Sequence, residues 1–547
     1  MKKNIFQLSL KLVVLSIMVI MISSCKKTED QPTEPARIFK PSDIKVSAGT
    51  TAAKLTWAKP LMATEKYTYS IDFSIDSLFS TIKYTTTSDT TGVIVTEDNL
   101  AVRTKYYARV KAVATATQPE SKYMISSSFQ LTGAQLFLPV RDNEIKETNI
   151  VLRYKPAMGL SSIILTPTTG TAITTSLSAS DVSTGLKAIT GLAAGMQYTA
   201  ELFLGAKSQG LTTFTTLLPT NYTVKLNPGD DLAAAITNAA NGAIIGLNPG
   251  TYTLSAATFI TQKTITIKST SGNPTDTKVN YKEFDIDGTG SGVTLSGIEF
   301  DGTSSSSSYF INLIGSQTNN GAAATFTNVV VDNCIAHGSA TSFFRGDRGT
   351  NAKDFKITAI TVNNSIVYDM GANGSSTYYT FNISKLQFTT LTVSKSTFYN
   401  CGPGLVLSAT TFTGDSTPSV LINYSTINSF GGSSKYALLD ANANPINFSI
   451  QNSILANTPR SGTINASAIR ASGAGSSLSI SNTNLYNLQS ALTGGTALTH
   501  AAATLTNNQA IALTWVSTTT DFTLPVTSPL RTASSTGTAI GDPRWAF

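Results

Sequence analysis

Between residues 326 and 487 apolar and polar positions alternate in short bursts, and one burst returns six times. Representative copies are Val330-Val331-Asp332-Asn333-Cys334-Ile335, Ile360-Thr361-Val362-Asn363-Asn364-Ser365-Ile366 and Val420-Leu421-Ile422-Asn423-Tyr424-Ser425-Thr426-Ile427. The small residues Cys334, Ser365, Ser396, Ser425, Ser453 and Thr483 mark the same point in each copy, at steps of 31, 31, 29, 28 and 30. Each burst is apolar-polar-apolar, then polar, then apolar again, so two short strands meet at a bend. A coil of this kind cannot bury its inner face alone, and stacking coils at about 4.8 Å per strand closes the core. Asn333, Asn364, Asn452 and Asn482 recur at the bend. There an Asn tolerates unusual φ values, and stacked copies can form a side-chain ladder. The pattern predicts a parallel β-helix in which Ile366, Phe398, Ile427, Ile454 and Leu485 stack as one internal column.

The repeat resembles the right-handed parallel β-helix proteins of the pectate-lyase-like superfamily, and the flanks extend the resemblance over roughly 221–547. Asp230-Asp231-Leu232-Ala233-Ala234-Ala235-Ile236 predicts a short amphipathic capping helix over the first coil, capped by Asp230 or Asp231. A cap is needed because an open end coil exposes a bare strand edge. A strand ending in Pro249-Gly250-Thr251-Tyr252 follows, and Asp521-Phe522-Thr523-Leu524 through Ile540-Gly541-Asp542-Pro543-Arg544-Trp545 is similar to the closing segment of secreted bacterial members.

Upstream the alternation differs. Leu100 to Tyr106 and Leu192 to Tyr198 both place a Leu six residues before a Tyr, which resembles the tyrosine corner of fibronectin type III domains. Trp57 would be the early-strand core residue of the first copy, and the second lacks it. The expected architecture is all-β: 1–24 a signal peptide, 25–36 a linker, 37–132 and 133–218 two fibronectin type III-like β-sandwiches, and 219–547 the β-helix with its capping helix. The leader reading rests on Lys2 and Lys3, the apolar run from Leu8 to Ile22, and Ser23-Ser24-Cys25. Cysteine after those small residues resembles the lipobox of bacterial lipoproteins. That resemblance implies an acylated Cys25, a tether to the outer membrane, and a chain facing the cell exterior.

Composition narrows the function. Of the +7 formal charge, all lies in residues 1–220, with 23 Lys+Arg against 16 Asp+Glu, while 221–547 carries 16 of each. The β-helix therefore has no polybasic footprint, and nucleic acid is not an expected partner. Cys334 and Cys401 fall at different points of the repeat and imply neither a disulfide nor a zinc site. His337, just past a bend, is read as structural.

The superfamily resemblance implies a polysaccharide laid along one outer face. The second strand column is expected to present Phe343, Tyr378 and Tyr436 outward for stacking on sugar rings. Arg345, Asp347, Arg348 and Lys385 are expected to form a site for acidic sugar, with Arg345 pointing outward between Asn312 and Thr380. The expected function is a surface lipoprotein binding an acidic, pectin-like glycan, alongside other outer-membrane glycan-uptake proteins and without a cofactor. The alternative is a polysaccharide lyase with Arg345, Arg348 and Lys385 at its centre. That chemistry would add Ca²⁺, yet no carboxylate pair of obvious calcium spacing stands out in one rung. A purely structural stalk is the third reading.

Overall fold

The computed structural model describes residues 36–63, 65–371, 376–410 and 416–547. Cys25 and the leader lie outside the described residues, and no helix among these is long and apolar enough to cross a membrane. Three hydrophobic cores follow one another along the chain: Ile38 to Leu131, Phe137 to Phe214, and Leu226 to Leu498.

The first two cores are β-sandwiches. In the first, strands Ser42–Ala48, Ala52–Ala58 and Gly92–Thr96 form one sheet, and Ile82–Ser88, Tyr69–Ser74, Lys105–Ala112 and Met124–Ile125 form the other. The second repeats the plan with a two-stranded sheet (Asn149–Arg153 and Leu186–Thr190) against a four-stranded one. Both tyrosine corners are present. The Ala101 amide donates to the Tyr106 hydroxyl at 3.1 Å and the Ala193 amide to Tyr198 at 2.9 Å. Trp57 is buried in the first core, edge-on to Tyr69 at 5.3 Å.

The third core is a parallel β-helix with three faces. The first face is an eleven-stranded parallel sheet among the described residues, running from Val224–Leu226 to Thr504–Thr506. The other two begin as the long paired strands Gly250–Thr261 and Thr277–Asp287 and then separate into two columns. Helix Leu232–Asn238 lies against Gly250–Thr261 and covers the open end. Asp231 is its cap, accepting from the Ala234 amide at 2.8 Å, and Leu232 and Ile236 are buried.

The turn from the first to the second face is left-handed in successive coils. Its residues are Asn333, Asn364, Lys395, Tyr424, Asn452, Asn482 and Asn507, with φ between 47° and 53°, and Gly272 and Gly297 take the place in the earlier coils. The next residue carries the ladder. The Ser365 hydroxyl accepts from the Cys334 amide (3.1 Å), Ser396 from Ser365, Ser425 from Ser396, Ser453 from Ser425 and Thr483 from Ser453. Each hydroxyl in turn donates to the carbonyl two residues before it, at 2.6–3.0 Å. The expected ladder at this bend is thus built by serine hydroxyls rather than by the four asparagines. A true amide ladder stands one bend later, where Asn457 donates to Asn428 and Asn487 to Asn457, both at 2.8 Å.

Because the serine itself points inward, the residue after it points out and the following one points in. The internal column of the second face is therefore Val279, Phe300, Ala336, Val367, Phe398, Ile427, Leu455 and Leu485. Ile366 and Ile454, expected in that column, sit one position early, on the outside. Ile454 is nonetheless buried, because the C-terminal segment lies over it. Trp515, Phe522, Leu524, Leu530 and Ile540 form a fourth apolar cluster with Ile454 and Ala456 on the outer side of the second face. The Asp542 carboxyl, fully buried and raised by desolvation, is held by Thr397 Oγ1 (2.7 Å) and the Arg544 guanidinium (2.8 Å). The second sandwich docks on the corner between the first two faces. Lys268 pairs with Glu147 at 3.1 Å, Lys395 pairs with Asp142, and the Lys146 ammonium donates to the Gly272 carbonyl. Burial there lowers the Lys146 pKa to about 8.

The register separates neighbouring substitutions. Ile427→Ala opens a cavity in the closed core and should cost about 2–5 kcal/mol in denaturant unfolding. Ser425→Ala strands the Ser396 amide and should cost about 1–3 kcal/mol. Ile366→Ala, on the outer side, should cost clearly less than Ile427→Ala, and equal losses would refute the register.

Candidate functional site

The third face places its side chains by the same stacking. Its internal column is Phe284, Ile311, Phe344, Phe381, Val406, Leu439 and Ile469. One residue on, the outward column reads Asp285, Asn312, Arg345, Asn382, Leu407, Asp440 and Arg470. Parallel in-register pairing thus lines up a polar strip across successive coils. In the strand before Asp285, Phe259 holds the same position.

Arg345 points outward, as expected, although its register partner on the far side is Asn382 rather than Thr380. Its Nε donates to Asp347 Oδ1 at 2.8 Å and its Nη1 to the Tyr309 hydroxyl at 2.9 Å. The guanidinium lies over the rings of Tyr309 (4.9 Å) and Tyr378 (5.2 Å). Arg348 also approaches Tyr309, at 5.9 Å, and donates through Nε to Asn312 Oδ1 at 2.9 Å. Asn312 in turn donates to Asp285 at 2.7 Å and Glu283 at 2.8 Å, and Asn382 donates to Asp347 at 2.7 Å. Arg345 Nη2 and both terminal nitrogens of Arg348 have no hydrogen-bond partner among the described residues. These N–H groups are what the cluster has left to offer a ligand.

Glu283 and Asp285 alternate along strand Thr277–Asp287, so both face out and lie side by side. Desolvation, then the Asp285 charge, pushes the Glu283 carboxyl up to about 7, and Arg348 and Arg345 oppose the rise. Asp285 is raised as well, chiefly by burial. Repulsion between neighbouring carboxylates thus adds to desolvation in favouring the protonated form.

Several expected site residues belong elsewhere. Phe343 is 1% exposed and packs inside against Phe310, Phe381 and Phe398. It occupies the corner between the second and third faces, where two successive side chains turn inward, so it cannot stack on a sugar. Lys385 does not reach Arg345, because its ammonium donates to the Gly349 and Thr350 carbonyls and ties that loop down. Tyr378 and Tyr436 are half-buried, and each lies under a guanidinium, Arg345 and Arg470 respectively. Arg470 is itself held by both oxygens of Asp440, at 2.7 and 2.8 Å.

Glu283, Asp285, Tyr309 and Asn382 were not expected from the sequence. Lys282-Glu283-Phe284-Asp285-Ile286-Asp287 carried the signal, an acid at every second position of a strand. Calcium does not fit this row. Asn312 bonds both Glu283 and Asp285, and Asp287 accepts from Thr261 (2.7 Å) and Gln317 (3.0 Å). A second acidic group, Glu299, Asp301 and His337, faces out from the second face with its ligand atoms within 4.8 Å of one another. The Lys278 ammonium already compensates it, 2.6 Å from Asp301 and 3.3 Å from Glu299, and the His337 ring stacks on Tyr368 at 4.5 Å.

No protein-family model matches the chain, and no curated protein does. Among solved structures, a two-domain fibronectin type III segment of chicken tenascin is 17% identical, covering 32% of this chain and 99% of its own, with a TM-score of 0.18. The FN1–FN3 domains of chicken CNTN1 are 14% identical over 34% of this chain and 67% of theirs (TM-score 0.16). The central fibronectin III array of RIM-binding protein is 16% identical over 33% and 62% (TM-score 0.13). At these scores the assignment rests on strand order and the two tyrosine corners.

The raised Glu283 carboxyl makes a stability test. The folded Glu283 keeps its proton between its ordinary value of 4.5 and about 7, where the unfolded chain has lost it. Its contribution is therefore full below pH 4.5 and declines as pH rises through that window. Melting temperatures of wild type and Glu283→Gln should diverge across this window, the wild type falling relative to the variant. Parallel profiles would show an ordinary, independent carboxylate. The chain is two fibronectin type III-like β-sandwiches followed by a parallel β-helix.

Proposed function

We propose that the protein binds an acidic polysaccharide along the outer wall of the third face, and that it does so tethered to the outer membrane through lipid on Cys25, facing the cell exterior. The observation that carries the binding reading is the pair of guanidinium groups beside Tyr309, in which Arg345 Nη2 and both terminal nitrogens of Arg348 have no protein partner among the described residues. Guanidinium forks suit carboxylates, and the half-buried tyrosines offer ring edges and hydroxyls to sugar. Asp347 and Asn312 hold the two arginines in place before a ligand arrives, so less ordering entropy is lost on binding. The sandwiches act as a spacer. Other outer-membrane glycan-uptake proteins are the partners this arrangement suits.

The lyase reading draws less support. It needs a base beside the uronate, and Lys385 is turned to backbone carbonyls. It also needs a calcium site, which the acidic row does not fit.

Binding to a galacturonate polymer should weaken with added salt, since the contact is between charges. Arg345→Ala should weaken it by roughly ten- to hundredfold, the cost of losing a hydrogen bond to a charged group. Affinity electrophoresis reads both, and wild-type affinity in the variant would leave the cluster as a structural network only.

Cys25→Ala should move the protein from the membrane fraction to the soluble one. An unchanged membrane pool would rule out the lipid anchor, and protease treatment of intact cells reports which side the chain faces.

A further inference from the structure

We propose that the cleft between the capping helix and strand Gly250–Thr261 is a second saccharide subsite, taking an uncharged, hydroxyl-rich sugar at the N-terminal end of the third face. The proposal rests on the reading of that face as glycan-binding and adds the class of sugar bound at its end.

The cleft measures about 590 Å³, within the usual range of small-ligand pockets. It is continuous with the wall. Phe259 lies in register beside Asp285 and Thr261 beside Asp287. Gln317 bridges the two, donating to Asp287 at 3.0 Å where Thr261 also donates. A chain laid along the third face therefore runs past the carboxyl row into the cleft.

The chemistry of the lining selects the ligand. Two charged residues face the cleft, and both serve the capping helix. Asp231 caps its N-terminus through the Ala234 amide. Lys263 donates to the carbonyls of Ile236 (2.7 Å), Thr237 (2.7 Å) and Ala239 (3.0 Å) at its C-terminus. Three acceptors use all the hydrogens of an ammonium. What remains is the hydroxyls of Thr253 and Ser255, the acceptor lone pairs of Thr237 and Thr261 (their protons go to the Ala233 carbonyl and Asp287), the Gln317 carbonyl oxygen, and the half-buried Phe259 ring. Free hydroxyls both give and accept hydrogen bonds and the other oxygens accept them, as sugar hydroxyls require, and a phenyl ring suits the apolar C–H face of a pyranose. A uronate would meet no free cation there and would face Asp231. The cleft thus complements the arginines: anionic units belong beside Tyr309, neutral ones at this end.

The test titrates the full chain calorimetrically with neutral hexasaccharides of xylose, mannose, glucose and galactose, and with a galacturonate hexamer. It compares wild type with Phe259→Ala, Ala256→Trp and Arg345→Ala. Ala256 is exposed on the cleft wall, so the indole fills the space without disturbing the core. At least one neutral hexasaccharide should bind wild type, and Phe259→Ala and Ala256→Trp should each weaken it by about tenfold or more. Both should leave galacturonate binding unchanged, whereas Arg345→Ala should do the reverse. The subsite is overturned if no neutral hexasaccharide binds, or if both cleft variants bind it as wild type does. The wall reading fails separately, if galacturonate binding is absent or indifferent to Arg345→Ala.

Discussion

The β-helix depends on what happens to one amide per coil at the bend between its first two faces. A left-handed residue turns the chain there, and the next N–H meets a side chain of the following coil instead of a strand carbonyl. Left alone, that buried donor would carry the full desolvation cost of an unmade bond. The serine hydroxyl of the next coil accepts it and donates to its own strand, so each Ser is bonded on both sides. This fixes the spacing between coils and the register within them. A hydroxyl also fills the narrow inside corner, where a larger side chain would push the two strands apart. Cys334 holds the equivalent corner, with its thiol donating to the Asp332 carbonyl at 3.3 Å.

Register at that corner decides where chemistry can appear. Once the serine is inward, every alternate position on each later face is assigned, and identical positions stack at strand spacing. A charged residue at an outward position then meets whatever the neighbouring coils put there. On the third face this brings Asp285, Asn312, Arg345 and Asn382 into one strip. An isolated carboxylate beside a buried Asn would be costly. The strip is tolerable because Asn312 and Asn382 hand each carboxyl a donor and Arg345 and Arg348 bring opposite charge. The desolvation that these contacts leave uncompensated, together with the Asp285 charge, raises the Glu283 carboxyl.

Much of the fold was legible because its signals are local or periodic. The serine spacing, the Asn bends, the Asp231 cap and the two Leu-to-Tyr spacings each need only a short stretch of sequence. The one-residue slip at Ile366 and Ile454 arose because an apolar residue follows the serine in some coils and a Thr or Asn in others. Hydrophobicity alone could not say which of two neighbouring residues turned inward. Ile454 is apolar for a different reason: it faces the C-terminal segment, a partner about 60–90 residues away in sequence. The candidate site was legible in part. Arg345, Asp347 and Arg348 come from one stretch and do converge. Glu283, Tyr309 and Asn382 enter only through stacking of coils of unequal length, which no short window contains. Phe343 and Lys385 failed because corner geometry and loop carbonyls, rather than strand alternation, decide their direction.

The surroundings of the three faces explain why the reading settles on the third. The C-terminal segment lays Trp515, Phe522 and Leu530 over the outside of the second face, and Tyr399 packs against Phe522 at 5.5 Å. On that same face His337, Tyr368 and Tyr399 stack nearly parallel, at 4.5 and 4.9 Å. Tyr368 is sandwiched between the other two, so it has no free face on which a sugar could lie. The corner between the first and second faces is taken by the second sandwich through Glu147, Lys146 and Asp142. The third face differs in kind. Its outward arginines are pinned on one side and open on the other, and its carboxyls accept from Asn312 and Asn382. A surface built only for stability would gain little by holding two guanidinium groups beside one tyrosine ring with three of their four terminal nitrogens unpaired among the described residues. Held that way they are already arranged for an anion, and the face that holds them ends at a cleft whose own charges are spent.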